Sequence, residues 1–132
     1  LVPQGNLAER IRAAGAGIGA FFSPTGFGTE LAKGRETREI NGKRYVLEMP
    51  INGDVALIKA ECGDRWGNLT YRKAARNFGP VMATAARMTV ATVHEIADLG
   101  TLDPLKSKSR NAWPRIFMTV LMSTSASVCR HW

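Results

Sequence analysis

Apolar positions near the start of the chain recur at helical spacing, then switch to alternation by residue 40. Leu7, Ile11 and Ala14 fall on one face of a helix read over NLAERIRAAG. Asn6 and Glu9 make a capping-box pattern, with Asn6 at N-cap and Glu9 at N3, and Gly15 stands where the helix should stop. Next comes GAGIGAFFSPTGFGT, residues 15–29, with five glycines and with Phe21 and Phe22 as core anchors. Alternating segments in TREINGKRYVLEM flank Asn41-Gly42, which predicts a hairpin, because a type I′ turn needs positive φ at both central residues. VALIKA, residues 55–60, reads as a buried strand, and Gly67-Asn68 turns the chain into a further strand over LTYRK. Val81, Met82 and Ala85 return to helical spacing, with Pro80 tolerated in the first turn. MTVATVHEI, residues 88–96, is β-branched and reads as another strand. Beyond Leu102-Asp103-Pro104 the chain is serine-rich and basic, and only the apolar patch 116–122 is a strand candidate.

Strands interspersed with helices predict an α/β fold: an open, mostly parallel sheet flanked by helices, with the hairpin at Asn41-Gly42. The 132 residues suit one domain, and 45% apolar with 22% charged residues suits a soluble globular chain. No run of eighteen apolar residues occurs, which argues against a membrane helix. The start carries no secretion-signal pattern and no initiator Met, so residues upstream are expected to be missing. Cys62 and Cys129 lie far apart and outside CxxC spacing, which points away from a disulfide framework or a zinc site and makes a reducing cytoplasm the default.

The net charge of +7 is uneven: thirteen Lys/Arg face ten Asp/Glu in residues 1–100, and five face one in 101–132. The body is thus only mildly basic, which suits a small anionic ligand. The tail cations Lys106, Lys108, Arg110, Arg115 and Arg130 are scattered among Ser and Trp, not clustered with aromatics as a nucleic-acid face would have them.

The glycine loop is not a dinucleotide fingerprint, since Gly15-Ala-Gly17-Ile-Gly19 follows a helix where that motif needs a strand, and no G-K-[ST] makes it a P-loop. It remains either a packed turn or a backbone cradle for a ligand. Gln4 lies two residues ahead of the expected N-cap, beside unsatisfied N–H groups, where a carboxamide either faces solvent or donates to an anion. Arg72, Lys73 and Arg76 form a cluster that is either a solvated face or a phosphate or carboxylate contact. His94 has no His or Cys partner nearby, and Glu39 is accounted for by the turn that follows it. No Ser-His-Asp or paired-carboxylate arrangement is visible.

Three stretches carry a resemblance. PQGNLAERIRAAGAGIGAFFSPTGFGTELAKG, YVLEMPINGDVALIKA and GDRWGNLTYRKAARNFGPVMATAA, in that order, resemble the A (alpha) subunit of family I CoA-transferases over residues 2–104. Asn-Leu-Ala-Glu, Gly-Ile-Gly-Ala-Phe-Phe and Arg-Asn-Phe-Gly-Pro are most similar to members acting on 3-oxoadipate. The resemblance implies a largely parallel α/β fold and transfer of CoA from succinyl-CoA to a 3-oxo acid, a step of aromatic-compound degradation. It also implies a glutamyl-CoA thioester intermediate on a glutamate of the B subunit, so no catalytic residue is expected in this chain.

By the resemblance, Gln4 of Pro3-Gln4-Gly5 contacts substrate and stabilises the oxyanion, and Ser23, Thr25 and Gly26 belong to a loop beside the site. Arg72, Lys73 and Arg76 are candidates for the second carboxylate of 3-oxoadipate. The implied partners are a B subunit, an acyl-CoA and a 3-oxo acid; coenzyme A enters as a thioester substrate, with no bound cofactor and no metal. The family's N-terminal GGFG-type and Ser-Asn-Asn-Ala-Gly segments are absent, so residues 1–104 are expected to be the C-terminal part of an alpha-subunit domain, inactive alone. Residues 105–132 depart from the family's Thr-Pro-Gly-Ile-Phe continuation, as a shifted reading frame or appended sequence would. The alternatives are an acetoacetate- or acetate-type member of the family, or a self-associating chain that catalyses nothing.

Overall fold

The computed structural model describes residues 1–102 and 115–120. The chain forms two compact units, Leu1–Asn52 and Gly53–Trp132.

In the first unit, helix α1 spans Gln4–Gly15 with Pro3 at its N-cap, at φ −58° and ψ 139°. Proline's fixed φ already suits a helix start, and Leu7 N–H closes the first turn on Pro3 O at 2.9 Å. The capping box expected at Asn6 and Glu9 does not form. The helix begins before Asn6, whose side chain turns inward, while Glu9 accepts from Arg12 at 2.6 and 2.8 Å. The C-terminal stop is also displaced. Gly17, at φ 70°, takes the left-handed position, with Ile18 N–H on Ala13 O at 2.9 Å and Gly17 N–H on Ala14 O at 3.2 Å. That is the Schellman pattern, two residues later than the expected stop at Gly15.

Strands β1 (Phe21–Ser23), β2 (Thr37–Ile40) and β3 (Lys43–Glu48) form an antiparallel sheet in the order β1-β3-β2. The hairpin forms where Asn41-Gly42 predicted it: Ile40 pairs with Lys43, and the two turn residues sit at φ 51° and 74°. Val46 and Glu48 share the buried side of β3, which puts a carboxylate among core positions.

In the second unit, β4 (Gly53–Lys59), β7 (Ala86–Val93) and β9 (Arg115–Val120) form a parallel sheet in the order β4-β7-β9. Helix α2, Gly79–Ala85, packs on β4 and β7, with Pro80 in its first turn as expected. Ile58, Ala60, Leu69, Ala83, Ala91 and Val93 make the buried cluster, with Tyr71 against it. A second small sheet joins β5 (Cys62–Gly63), β6 (Leu69–Thr70) and β8 (Glu95–Ile96). The strand expected over LTYRK shrinks to Leu69–Thr70, because Lys73, at φ 50°, leaves the extended region and opens a 3₁₀ turn over Lys73–Arg76.

The parallel ladders thus belong to the second unit alone, and the first is antiparallel throughout. The tail's apolar patch supplies β9, in register beside β7 from Arg115 to Val120. The rest of 105–132, and the boundary placed at residue 104, lie outside the described residues. Cys62 is buried at the start of β5. Among the described residues, no helix is long and apolar enough to cross a membrane.

Candidate functional site

Gln4 is the first residue of α1 and is exposed. The first intrahelical N–H bond is made by Leu7, so the turn ahead of it presents N–H groups to the surroundings. No acidic side chain occupies that turn, and space beside Gly5 is open. Gln4 is thus an exposed carboxamide at the positive end of the helix dipole, a position suited to a carboxylate or an oxyanion.

The helix start is tied to the glycine loop by a buried polar chain. Thr25 N–H donates to Ser23 Oγ at 3.2 Å, and Ser23 Oγ donates to Asn6 Oδ1 at 3.0 Å. Asn6 Nδ2 donates to Glu48 Oε1 at 3.1 Å, and Arg35 donates to the same oxygen at 2.7 Å. Arg10 Nε donates to Met49 O at 2.6 Å and lies 3.6 Å from Glu48 Oε2, which is buried and accepts no hydrogen bond among the described residues. Asn6, Ser23 and Glu48 are each at most 7% exposed. Of the three loop candidates, then, Ser23 uses its hydroxyl internally, and Thr25 is exposed. Gly26 sits at φ 91°, where an added Cβ would meet Leu31 Cβ at 3.5 Å.

Glu48, Arg35 and Arg10 were not singled out from sequence, and Asn6 was read only as a helix cap. A signal existed for Glu48, a charge at an inward position of an alternating strand. None existed for Asn6, because Asn ahead of an apolar helical face looks the same whether it caps the helix or reaches the core.

In the second unit, Arg72, Lys73 and Arg76 are exposed and enter no ion pair among the described residues. Lys73 and Asn77 both take positive φ, 50° and 31°, bracketing the 3₁₀ turn. Burial raises the Tyr71 phenol above its usual range, and the Arg76 charge offsets part of the rise. Its ring packs so closely on α2 that a Cβ on Gly79 would lie 2.9 Å from Tyr71 Cε1. His94 is exposed, and among the described residues it bonds only through its backbone, N–H to Glu61 O at 2.9 Å. The basic cluster and the Gln4 turn belong to different units.

The family profile described as Coenzyme A transferase matches residues 1–115, and the chain belongs to this family. It is 72% identical over 104 residues to the A subunit of the Pseudomonas putida 3-oxoadipate CoA-transferase, covering 79% of this chain and 45% of that one. It is 58% identical over 104 residues to the A subunit of the Helicobacter pylori succinyl-CoA:3-ketoacid coenzyme A transferase, with the same coverage of 79% and 45%. The chain thus spans about half the length of these relatives. Among solved structures, an acyl-CoA transferase of Escherichia coli O157:H7 superposes with a TM-score of 0.73 at 23% identity, over 96% of this chain and 28% of that one. This last likeness speaks to the fold alone.

Proposed function

We propose that the chain is part of the A (alpha) subunit of a CoA-transferase that moves CoA from succinyl-CoA to 3-oxoadipate. The observation that carries the reading is the 72% identity to the corresponding polypeptide of a 3-oxoadipate CoA-transferase. The catalytic glutamate, and the glutamyl-CoA thioester formed on it, belong to a B subunit. This chain contributes Gln4, whose exposed carboxamide at the start of α1 donates to the oxyanion that develops as the thioester carbonyl is attacked. Thr25 and Gly26 belong to the loop tied to the helix start, and Arg72, Lys73 and Arg76, in the second unit, are read separately as candidate contacts for a carboxylate of the acceptor. Coenzyme A is a substrate here, not a resident cofactor, and the setting is cytoplasmic aromatic-compound degradation.

The test is reconstitution. The complete polypeptide, assembled with its B partner, is given succinyl-CoA and either 3-oxoadipate or acetoacetate, and CoA thioesters are resolved by chromatography. Faster transfer to 3-oxoadipate supports the reading. Equal or faster transfer to acetoacetate moves the protein to the 3-ketoacid branch, and no transfer to either overturns it.

A second reading has its own observation. Val55 and Leu57 on edge strand β4 are 49% and 73% exposed, although parallel sheets are normally covered on both faces. This favours a chain that self-associates through its sheet and catalyses nothing. Light scattering separates the two: a defined complex with B supports the enzyme reading, and a homo-oligomer indifferent to B supports the other.

A further inference from the structure

A carboxylate with one orphaned oxygen in a protein interior is unfavourable, because its charge has left water and needs partners that replace the solvent. Glu48 is 4% exposed and stands at a core position of β3. A well-packed apolar residue there would be at least as good for stability, so what Glu48 touches is informative.

Its Oε1 gathers two donors, Asn6 Nδ2 and Arg35, at 3.1 and 2.7 Å. Asn6 lies in the first turn of α1, two residues after Gln4, and its other amide atom accepts from Ser23, which in turn accepts from Thr25 N–H. Both polar ends of one buried amide are thus used. One end grips β3 and the other grips the loop. Arg10, one turn further along α1, adds a contact to Glu48 Oε2 at 3.6 Å and a bond to the Met49 carbonyl at 2.6 Å. The first two turns of α1 are therefore clamped to the end of β3 at two heights, and the Ser23–Gly26 loop is bound to the lower clamp. Apolar contacts alone would let the helix slide or rotate by fractions of an ångström. Directional bonds from a single amide do not.

We propose that Asn6 and Glu48 are positioning residues that hold the helical turn bearing Gln4 in fixed geometry against the Ser23–Gly26 loop. Neither touches substrate. The structural part stands on this geometry alone, and the catalytic consequence rests on the oxyanion role proposed for Gln4. A donor aimed at an oxyanion is useful only when held within about 0.5 Å, and a side chain on a helix start is only as well placed as that turn.

Two experiments test this, and they fail separately. The first uses the chain itself, ¹⁵N-labelled. Asn6→Ala puts a strong helix former into α1 and leaves the Arg10 and Arg35 pairs to Glu48, so the fold should be retained. Hydrogen exchange at Leu7 and Thr25 N–H should accelerate at least tenfold, with amides of β4 and β7 unchanged. Glu48→Gln, which keeps an acceptor for Asn6 but not the charge, should give a smaller acceleration at the same two amides. Unaltered exchange at Leu7 and Thr25 would overturn the proposal whatever the protein's activity.

The second uses the complete enzyme. Asn6→Ala should lower kcat at least tenfold while KM for succinyl-CoA stays within threefold. In a Gln4→Ala background it should have little further effect, because it acts through Gln4. Additive losses, or a change confined to KM, would overturn the positioning role. If the wild-type complex transfers no CoA, the functional reading fails and the exchange result still decides the structural one.

Discussion

Asn6 Nδ2 donates to Glu48 Oε1 at 3.1 Å, joining the first turn of α1 to the end of β3 across 42 positions of sequence. Glu48 is the hub of the first unit's interior, since Arg35 and Arg10 approach the same carboxylate.

Removing it strands those partners. Glu48→Ala leaves Asn6 Nδ2 and the Arg35 guanidinium without their shared acceptor, removes the ion-pair partner of Arg10, which keeps its bond to Met49 O, and opens a void at a core position. The expected loss is about 2–3 kcal/mol of unfolding free energy, at the lower end for a broken ion pair because Arg35 is partly solvated. Urea unfolding followed by far-UV circular dichroism measures it; a loss below about 1 kcal/mol would mean water replaces the carboxylate.

Gly79→Ala sets two effects against each other. Alanine is the better helix former, by less at this first position of α2 than the about 1 kcal/mol of a helix interior. Its Cβ, however, would lie 2.9 Å from Tyr71 Cε1, and that ring is held against the buried cluster. The clash should win, with a net loss of about 1 kcal/mol. The same substitution in a Tyr71→Ala background should be stabilising. A stabilising effect in the wild type would show that the ring yields freely.

Tyr71 also predicts an alkaline limb. Its folded phenol titrates above the ordinary value of 10.0, first because of burial, with the Arg76 charge acting the other way. The folded state therefore holds that proton more tightly than the unfolded chain. The contribution to stability is whole below about pH 10 and declines as pH rises through the folded value. Unfolding free energy should fall more steeply above about pH 10 in the wild type than in Tyr71→Phe, and coincident curves would remove the effect.

Gln4→Ala in the complete enzyme should reduce kcat at least tenfold, in line with the roughly 10²–10³ typical of a lost oxyanion donor. The fold should be untouched, since Gln4 is exposed and its backbone carries the helix. Unchanged turnover with wild-type stability would remove Gln4 from the site.

Replacing Arg72 and Arg76 by Ala should raise KM for 3-oxoadipate at least threefold and leave KM for acetoacetate within twofold, because only the former carries a distal carboxylate. Both side chains are exposed, so stability should hold. Equal effects on the two acceptors would make the cluster a solvated face.

What short-range chemistry decides was legible in the sequence. Asn41-Gly42 needs no neighbour to prefer positive φ, and the hairpin stands there. Pro80 in a first turn, the apolar run that became β4 and the β-branched run that became β7 follow equally local preferences, although β4 is not the buried strand expected, since Val55 and Leu57 are exposed. Even the apolar patch in the tail formed its strand, although only tertiary pairing made it a parallel neighbour of β7. Gln4 became a candidate because Pro3-Gln4-Gly5 is a contiguous stretch that carries the family resemblance.

What the sequence left open was decided by partners far along the chain. A cap at Asn6 and a buried link from Asn6 to Glu48 differ by an acceptor 42 residues away, and local patterning carries no information about it. Ser23 could face a ligand or the core until the loop closed on α1. The antiparallel first unit and the parallel sheet of the second likewise depend on which strand edges meet, a long-range choice settled by burial. Backbone preference acts over a few residues. A buried polar group must find its partner wherever the fold brings one, so only the tertiary structure revealed the clamp beneath Gln4.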